Sequence, residues 1–314
     1  MSPRTGAEKR RVETGLGTAG TFVVREGAPA AGPMERRIPR GAPDYPAALL
    51  DLPQPPDEIH VRGSLPSGTR AVAIVGSRAA TAYGLERAQC LAADLAQLGV
   101  TIVSGLARGI DAAAHRGALE AGGVTVAVLP GGIDAITPRS HGELARRIAR
   151  RGALVAEWPG AFAVQPGLFL RRNRLIAALA HATVVVEAAE KSGALSTATV
   201  ARGLGRALLA VPGDVDRPTS RGCNALLRAG ARFCECAADV MRALPRSAPA
   251  GPGASDEARL AAALCDDPRP AETLAAAAGL PIGRALAALL RLEWAGEAVA
   301  HPGQRWARRP EPLA

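Results

Sequence analysis

TIVSGLARGIDAAAH, residues 101–115, is the stretch that decides how this 314-residue chain folds. An apolar, β-branched run ends in Ser104-Gly105, a second glycine follows at Gly109, and a helical stretch begins near Asp111. A strand, a glycine-bearing turn and a helix N-terminus together form an anion site in many α/β proteins, because the first N–H groups of a helix are unpaired and lie at the positive end of its dipole. The guest would be a phosphate, free or in a nucleic-acid backbone. The alternative is an ordinary turn whose glycines only permit the backbone geometry.

The same alternation of apolar runs and helical stretches continues on both sides of residues 101–115. Short apolar runs between helices predict βαβ units and a parallel sheet. The loops after such strands meet at the carboxyl edge of the sheet, where open α/β sheets bind ligands. A short strand over 59–62 precedes the series. The predicted strands are 71–75, 100–105, 124–129, 153–157, 183–188 and 207–212, with helices between them that include 141–150 and 170–181, and a last helix at 221–229.

Charge is distributed unevenly along the chain, which has a net charge of +9. Residues 71–244 carry 20 Lys and Arg against 13 Asp and Glu, a net of +7, whereas residues 255–309 carry 7 of each sign. A basic surface favours an anionic partner such as nucleic acid. The sequence therefore places the polyanion-binding surface in the middle of the chain.

The sequence signatures of common phosphate-handling and hydrolytic enzymes are missing. No GxxxxGK[ST], GxSxG or HExxH occurs, and a GxGxxG match at 15–20 follows no strand. Asp111 and His115 could be an acid–base pair, but we expect a hydrogen bond at the helix surface between them. We expect no catalytic residue, metal or cofactor. The chain has five cysteines without zinc spacing, no apolar N-terminal segment and no run of 18 apolar residues. This combination is typical of a cytoplasmic protein without a membrane span.

Cations and glycines recur at the predicted carboxyl edge. For any single turn, a surface arginine in an arginine-rich chain is the simpler interpretation, but convergence on one edge favours an anion site. Glu157 and Glu187 end strands there. They are either catalytic carboxylates or, as we expect, they hold Arg172 or Arg174 in place. The turns are Gly76-Ser77-Arg78, Ser104-Gly105 with Gly109, Gly131-Gly132 and Asp134 with Arg139, Arg171-Arg172-Asn173-Arg174, and Lys191-Ser192-Gly193.

Residues 255–309 form a second predicted unit. Helices at 256–265, 271–278 and 282–292, followed by two short strand-like pieces near 299 and 305–306, match the outline of a winged helix. A winged helix that grips duplex DNA usually presents a basic helix. The third helix here has only Arg284 and Arg291, which favours a protein-contact or regulatory role. The predicted organisation is a disordered tail 1–40, a Rossmann-like domain 41–244, a linker 245–254, a winged helix 255–309 and a tail 310–314.

Six motifs, in this order and spacing, resemble those of the DNA-processing protein A family (DprA, also called Smf). The resemblance covers about residues 41–309. It implies an extended Rossmann-like, mostly parallel α/β sheet with helices on both faces, plus a small C-terminal winged-helix domain. The motifs are VGSRAATAYG (75–84), VSGLARGIDAAAH (103–115), VAVLPGGID (126–134), FLRRNRLIA (169–177), VVVEAAEKSGALSTA (184–198) and AVPGDVDRPTSRGCNALLRAGA (210–231).

The resemblance also implies a function. Members of this family bind single-stranded DNA, form homodimers, protect incoming DNA and help to load the RecA recombinase during natural transformation, with no established enzymatic chemistry. By motif position, the resemblance implies DNA contacts at Arg78, at Arg139 and at the N–H groups of residues 192–193. We expect one pocket, lined also by residues 104–105 and by the arginines of 172–174, with glycines at its floor. The predicted DNA-contact set is Gly76, Ser77, Arg78, Ser104, Gly105, Gly109, Arg139, Arg172, Asn173, Arg174, Lys191, Ser192 and Gly193.

Departures from the family pattern leave two other functions open. The third loop reads TPRSH (137–141) and lacks the family's tyrosine, so we expect one aromatic contact to be missing. The family's N-terminal helical domain is expected to be absent. The PGG at 130–132 also occurs in Rossmann-like phosphoribohydrolases that cleave nucleoside monophosphates, although the PGGxGTxxE arrangement is not present. The third possibility is an adaptor that acts through the winged helix.

Overall fold

The structure is a computed structural model, and it describes residues 34–244 and 255–309. Most of the predicted N-terminal tail, the GxGxxG match, the whole predicted linker and the predicted C-terminal tail lie outside the described residues. The domain boundaries therefore stay predictions.

The larger sheet of the described residues has nine strands in the order β1-β2-β6-β5-β4-β3-β7-β8-β9. Strands β3 to β9 are parallel, and β1 and β2 pair antiparallel at one edge. The prediction of a mostly parallel sheet is confirmed. The strands are β1 (Glu35–Pro39), β2 (Glu58–Gly63), β3 (Ala71–Val75), β4 (Thr101–Ser104), β5 (Thr125–Gly132), β6 (Ala153–Trp158), β7 (Ala182–Val185), β8 (Ala207–Ala210) and β9 (Arg232–Phe233).

Helices cover both faces of this sheet, as predicted. In β3, Val72 and Ile74 belong to a core cluster with α1 and α2, whereas Ala73 and Val75 belong to a cluster with α4 and α5. Burial on both faces is why the central strands are continuously apolar rather than alternating. The helices are α1 (Ala82–Gln97), α2 (Ile110–Glu120), α3 (Gly142–Arg151), α4 (Pro166–Ala178), α5 (Ala194–Gly203), α6 (Arg221–Arg228) and α7 (Ala237–Ala243).

The strand order creates a reversal in the middle of the sheet. From β3 the chain builds β4, β5 and β6 outward on one side, and it then returns to place β7, β8 and β9 on the other side of β3. The crevice outside the carboxyl ends of β3 and β7 is therefore a topological switch point, the position at which open α/β sheets bind ligands.

Several elements differ from the prediction. Residues 35–39 form β1, although residues 1–40 were expected to be disordered, because Ile38 is buried in the core and pairs opposite Ile59. Strand β5 continues through residues 130–132 with a register shift, where a loop was expected. Helix α4 begins at Pro166, four residues before the predicted start, since proline fits the first helical turn. Strand β9 and helix α7 were not predicted.

The C-terminal described residues form the predicted winged-helix arrangement. The three helices pack around Leu260, Leu274, Leu289 and Trp306, and Gly279 ends the second helix in a left-handed conformation with φ of 60°. A small sheet in the order β10-β12-β11 completes the unit. The elements are α8 (Asp256–Ala263), β10 (Arg269–Pro270), α9 (Ala271–Ala278), α10 (Ile282–Trp294), β11 (Ala298–His301) and β12 (Arg305–Arg308).

Among the residues that the structure describes, no single helix is long and apolar enough to cross a membrane. Helices α9 and α10 reach that length and apolar character only together, and the chain bends by 102° between them.

Candidate functional site

A cavity of about 700 Å³ lies at the switch point. Its walls are the turn after β3, Ala107 and Asp111 from the segment after β4, the first turns of α4 and the segment that leads from β7 into α5. Of the predicted DNA-contact residues, it brings together Gly76, Ser77, Arg78, Arg172, Asn173, Lys191, Ser192 and Gly193.

The turn after β3 is fixed by backbone hydrogen bonds. The Ser77 amide donates to the Glu187 carbonyl (2.7 Å), and the Ser77 carbonyl accepts from the Ile110 amide (3.2 Å). A Cβ atom on Gly76 would lie 2.6 Å from the Ile110 side chain, so only glycine fits at this position without a shift. The turn is thereby held between the end of β7 and the start of α2.

Arg78 projects from this fixed turn. Its guanidinium carbon lies 4.3 Å from the centroid of the Phe169 ring, a cation–π contact across the cavity wall. In the described part of the chain, no carboxylate lies within ion-pair distance of Arg78. Arg78 is thus a positioned cation whose charge is available to a ligand.

Arg172 is buried at the base of the cavity. It donates to the carbonyl oxygens of Gly105 (2.6 Å) and Val128 and to the side-chain oxygen of Asn173 (3.2 Å). Burial lowers the pKa of Arg172 to about 10, which still leaves it charged at pH 7. Burial also raises the pKa of Asp111, the carboxyl that attracts it. Because its donors are occupied by carbonyls of β5 and of the residue after β4, Arg172 contributes its positive charge to the cavity more than free hydrogen bonds.

The start of α5 forms the opposite wall. Asn173 donates to the Gly193 carbonyl (3.1 Å) and to the Ser196 hydroxyl (2.8 Å), which ties α4 to this helix start. The Gly193 amide makes no hydrogen bond to any described residue, and Lys191 is exposed without a carboxylate partner there. An unpaired N–H group at the positive end of a ten-residue helix, beside a lysine, favours an anion in the cavity.

Five predicted contact residues do not line the cavity, and a DNA contact at each of them stays a prediction. Ser104 is fully buried and donates to the Ile74 carbonyl (2.6 Å), while Gly105 lies behind Arg172. Gly109, with φ of +75°, allows the close approach of the Ser77 carbonyl. Within residues 101–115, Ala107 and Asp111 line the cavity, whereas these three residues support it from behind. The five residues are Ser104, Gly105, Gly109, Arg139 and Arg174.

The two arginines among these five differ from each other. Arg174 donates to Glu157 (2.6 Å) and to the Gln54 carbonyl (2.9 Å), so it is held as a structural contact. Arg139 is exposed in the turn before α3, and no described carboxylate pairs with it. A DNA contact at Arg139 therefore stays a prediction.

The structure also shows the contacts of three carboxylates and a histidine. Glu157 binds Arg174, as expected, but Glu187 accepts from the Thr81 amide and hydroxyl instead of an arginine. Asp111 and His115 do not pair, and both are buried, so the expected surface hydrogen bond is wrong. His115 Nδ1 instead lies 2.7 Å from the Thr125 hydroxyl. These groups brace the fold.

The sequence interpretation missed the aromatic side chains around α4. Phe169 lies under Arg78, and Trp158 stacks on Phe162 with ring centroids 4.5 Å apart. The only sequence signal for these rings was Phe169, two residues before the arginine-rich segment 171–174.

Two models of known protein families match this chain over most of its length. The family described as DNA recombination-mediator protein A matches residues 36–245, and a DprA winged helix domain matches residues 244–304. A DprA protein of Mycobacterium tuberculosis is 51% identical over 195 residues, covering 62% of this chain and 49% of that protein, so the chain spans about half the length of that relative. Protein Smf of Escherichia coli is 37% identical over 86% of this chain and 77% of its own length. A structure of DNA processing protein A from Helicobacter pylori, described for its single-stranded DNA binding mode, superposes with a TM-score of 0.59 at 29% identity, covering 66% of this chain and 94% of that one.

Proposed function

Because the chain belongs to the DNA recombination-mediator protein A family, also called DprA or Smf, we propose that it binds single-stranded DNA in the switch-point cavity. One observation carries the proposal. An unpaired arginine on an aromatic ring, an exposed lysine and an open helix N-terminus converge on one cavity of about 700 Å³.

This combination suits a single strand better than a free nucleotide. Proteins that bind single strands without sequence preference combine cations that follow the backbone with aromatic rings on which bases stack. The cavity offers Arg78 and Lys191 to phosphates and Phe169 to a base. We expect little base preference and a steep fall of affinity with salt as counterions are released.

The test is fluorescence anisotropy with labelled oligo-dT across a salt series. Arg78→Ala and Lys191→Ala should each weaken binding and lower the slope of log affinity against log salt by about 0.7, the contribution of one phosphate contact on a single strand. Arg146→Ala, which removes an exposed arginine of α3, is the matched control. Arg139→Ala tests whether the contact surface extends beyond the cavity. Wild-type affinity and slope in Arg78→Ala would refute the assignment of the cavity.

We further propose that the protein acts as a homodimer, protects incoming DNA and helps to load RecA during natural transformation. The family description as a recombination mediator supports this role. A cytoplasmic location fits a role beside RecA, and all five cysteines are free thiols. Faster RecA filament assembly on DNA coated with a single-strand-binding protein would support the loading step, and no acceleration at saturating protein would refute it.

We propose no enzymatic activity. The phosphoribohydrolase alternative rests on the PGG at 130–132 and would also need a free carboxylate at a strand end. Both strand-end carboxylates are engaged elsewhere, Glu157 by Arg171 and Arg174 and Glu187 by Thr81. Release of free base from nucleoside monophosphates would overturn this conclusion.

A second candidate function is favoured by one feature of the winged helix. The arginines of α10 are neutralised by acids of α8, because Arg284 pairs with Asp256 (2.7 Å) and Arg291 pairs with Glu257, while Trp294 is 85% exposed. Such a helix suits a protein contact better than a DNA groove. Trp294→Ala should then reduce recombinase loading and leave oligo-dT affinity unchanged.

A further inference from the structure

Aromatic side chains are scarce in this protein and unevenly placed. The chain has four Phe, three Trp and two Tyr residues. Among the described residues, Tyr45 and Trp306 are the only buried aromatic side chains. Trp158, Phe162 and Phe169 instead lie around the start of α4, at the carboxyl edge of the sheet. The core is built without them, which points to a role at the surface.

Trp158 and Phe162 form a stacked pair on a rigid backbone. Their rings are 4.5 Å apart with an angle of 12° between the planes. The Phe162 carbonyl accepts from the Gly132 amide (2.9 Å), and the Gly160 carbonyl accepts from the Asp134 amide (2.8 Å), so the turn is fixed to the end of β5. Phe162 nevertheless remains 38% exposed. A fixed, stacked and partly exposed ring has a π-face available to another planar group.

An arginine completes this group. The Arg171 guanidinium lies 5.3 Å from the Trp158 ring centroid, and Glu157 holds it at 2.8 Å. We call Trp158, Phe162 and Arg171 the tryptophan platform.

The tryptophan platform adjoins the switch-point cavity. Arg172 forms part of the cavity wall and also part of the crevice beside Trp158. On α4, Phe169 faces the cavity, and Arg171, two residues later, projects to the opposite side of the helix because each residue turns it by about 100°. A helix with its side chains is about 10–12 Å across, a distance that a few nucleotides can cross. The exposed Leu170 lies between the two sides.

We propose that the tryptophan platform is a second subsite for nucleobases of single-stranded DNA, which receives the strand after it leaves the cavity and crosses the start of α4. The proposal rests on the proposed function of the cavity. Stacking on an aromatic face accepts any base, because every base has a π-face. Arg171 contacts the Trp158 ring of the platform, and Glu157 balances its charge.

The test compares Phe162→Leu with the wild type on oligo-dT of about 16 and about 4 nucleotides, which bracket the usual site sizes for single strands. Leucine keeps the apolar volume and removes the π-face. The variant should bind the long oligonucleotide about tenfold more weakly and the short one unchanged, and Phe162→Tyr should restore wild-type affinity. Phe233→Leu, at an exposed phenylalanine on the far edge of the sheet, is the matched control.

An oligonucleotide with abasic sites outside its first few nucleotides separates base stacking from backbone contact. On it, wild type and Phe162→Leu should bind equally. Unchanged affinity of Phe162→Leu for the long oligo-dT, while Arg78→Ala is weakened, would overturn the platform and leave the cavity intact. Failure of the wild type to bind either oligo-dT would overturn the proposed function and the platform together.

Discussion

The Nη1 atom of Arg172 lies 2.6 Å from the carbonyl oxygen of Gly105, in a buried hydrogen bond between the first turns of α4 and the end of β4. The same guanidinium reaches the Val128 carbonyl within the adjacent strand β5. One side chain therefore ties two neighbouring strands to the helix that carries Phe169. Gly105 acts through this contact, whereas Ala107 and Asp111 of the same stretch line the cavity.

Gly105→Ala should destabilise the protein. A Cβ atom there would lie 2.5 Å from both terminal nitrogens of Arg172, which is buried and cannot move away freely. Overpacking of this kind costs about 1–3 kcal/mol, measured as the free energy of unfolding in urea. Gly167→Ala is the control, because a Cβ atom at Gly167 meets nothing within 4 Å and the site lies in a helix. That variant should be neutral or more stable by up to about 1 kcal/mol.

Arg172→Met should lower the free energy of unfolding more than the same substitution at an exposed arginine. It leaves the carbonyls of Gly105 and Val128 and the buried carboxyl of Asp111 without their cation. Loss of buried partners of this kind costs about 3–5 kcal/mol when a charge is left uncompensated. The double variant Arg172→Met with Asp111→Asn should recover part of the loss. If both variants unfold at the wild-type urea concentration, the buried charge of Arg172 has no structural role.

Periodicity predicted much of the fold, because buried parallel strands and the helices between them have distinct apolar patterns. The same apolar patterns placed the turns at 76–78 and 191–193 at the carboxyl ends of strands, the edge of the sheet where ligands bind. Strand order is not written in local patterns, however, so the sequence could not show that β7 returns beside β3. As a result, Ser104, Gly105 and Arg139 were placed in the pocket, whereas the segment after β4 reaches the cavity through Ala107 and Asp111.

Other misses have local causes. Strand β1 presents Arg36 and Arg37 to solvent and only Ile38 to the core, which leaves too short an alternation to recognise. Trp158 ends β6 and Phe162 lies in the turn after it, and a turn has no apolar period that would relate one ring to the other. The Arg172 contacts span long sequence separations and depend on the assembled sheet.

His115 makes stability depend on pH. The Thr125 hydroxyl donates its single hydrogen to the Ile102 carbonyl (2.7 Å), so it accepts from His115 Nδ1, and the buried Nε2 atom carries no proton and has no partner among the described residues. Burial lowers the pKa of His115 to about 3. The unfolded chain, with an ordinary pKa near 6.5, binds this proton more readily than the folded protein does. The contribution of the neutral His115 to the free energy of unfolding is therefore fully present above pH 6.5. It is lost progressively as the pH decreases toward 3.

The measurement is urea unfolding of wild type and His115→Asn at pH 7 and pH 5. Asparagine can keep the donated hydrogen bond to Thr125 but does not titrate in this range. Between these two pH values, the wild type should lose about 2 kcal/mol more than the variant, the free energy of protonating one unfolded histidine at pH 5. An equal loss in both proteins would place the acid sensitivity elsewhere.

Asn173→Ala should separate positioning of the cavity from its charge. The amide of Asn173 holds the Gly193 carbonyl and the Ser196 hydroxyl, so its loss frees the start of α5 without removing a cation. Affinity for oligo-dT should fall, while the dependence of affinity on salt stays at the wild-type slope. Lys191→Ala removes a charge beside the same helix start, and its salt slope should fall by about 0.7. A reduced slope in Asn173→Ala would mean that the phosphate contacts themselves depend on the fixed start of α5, and the wall would then act in charge recognition as well as in shape.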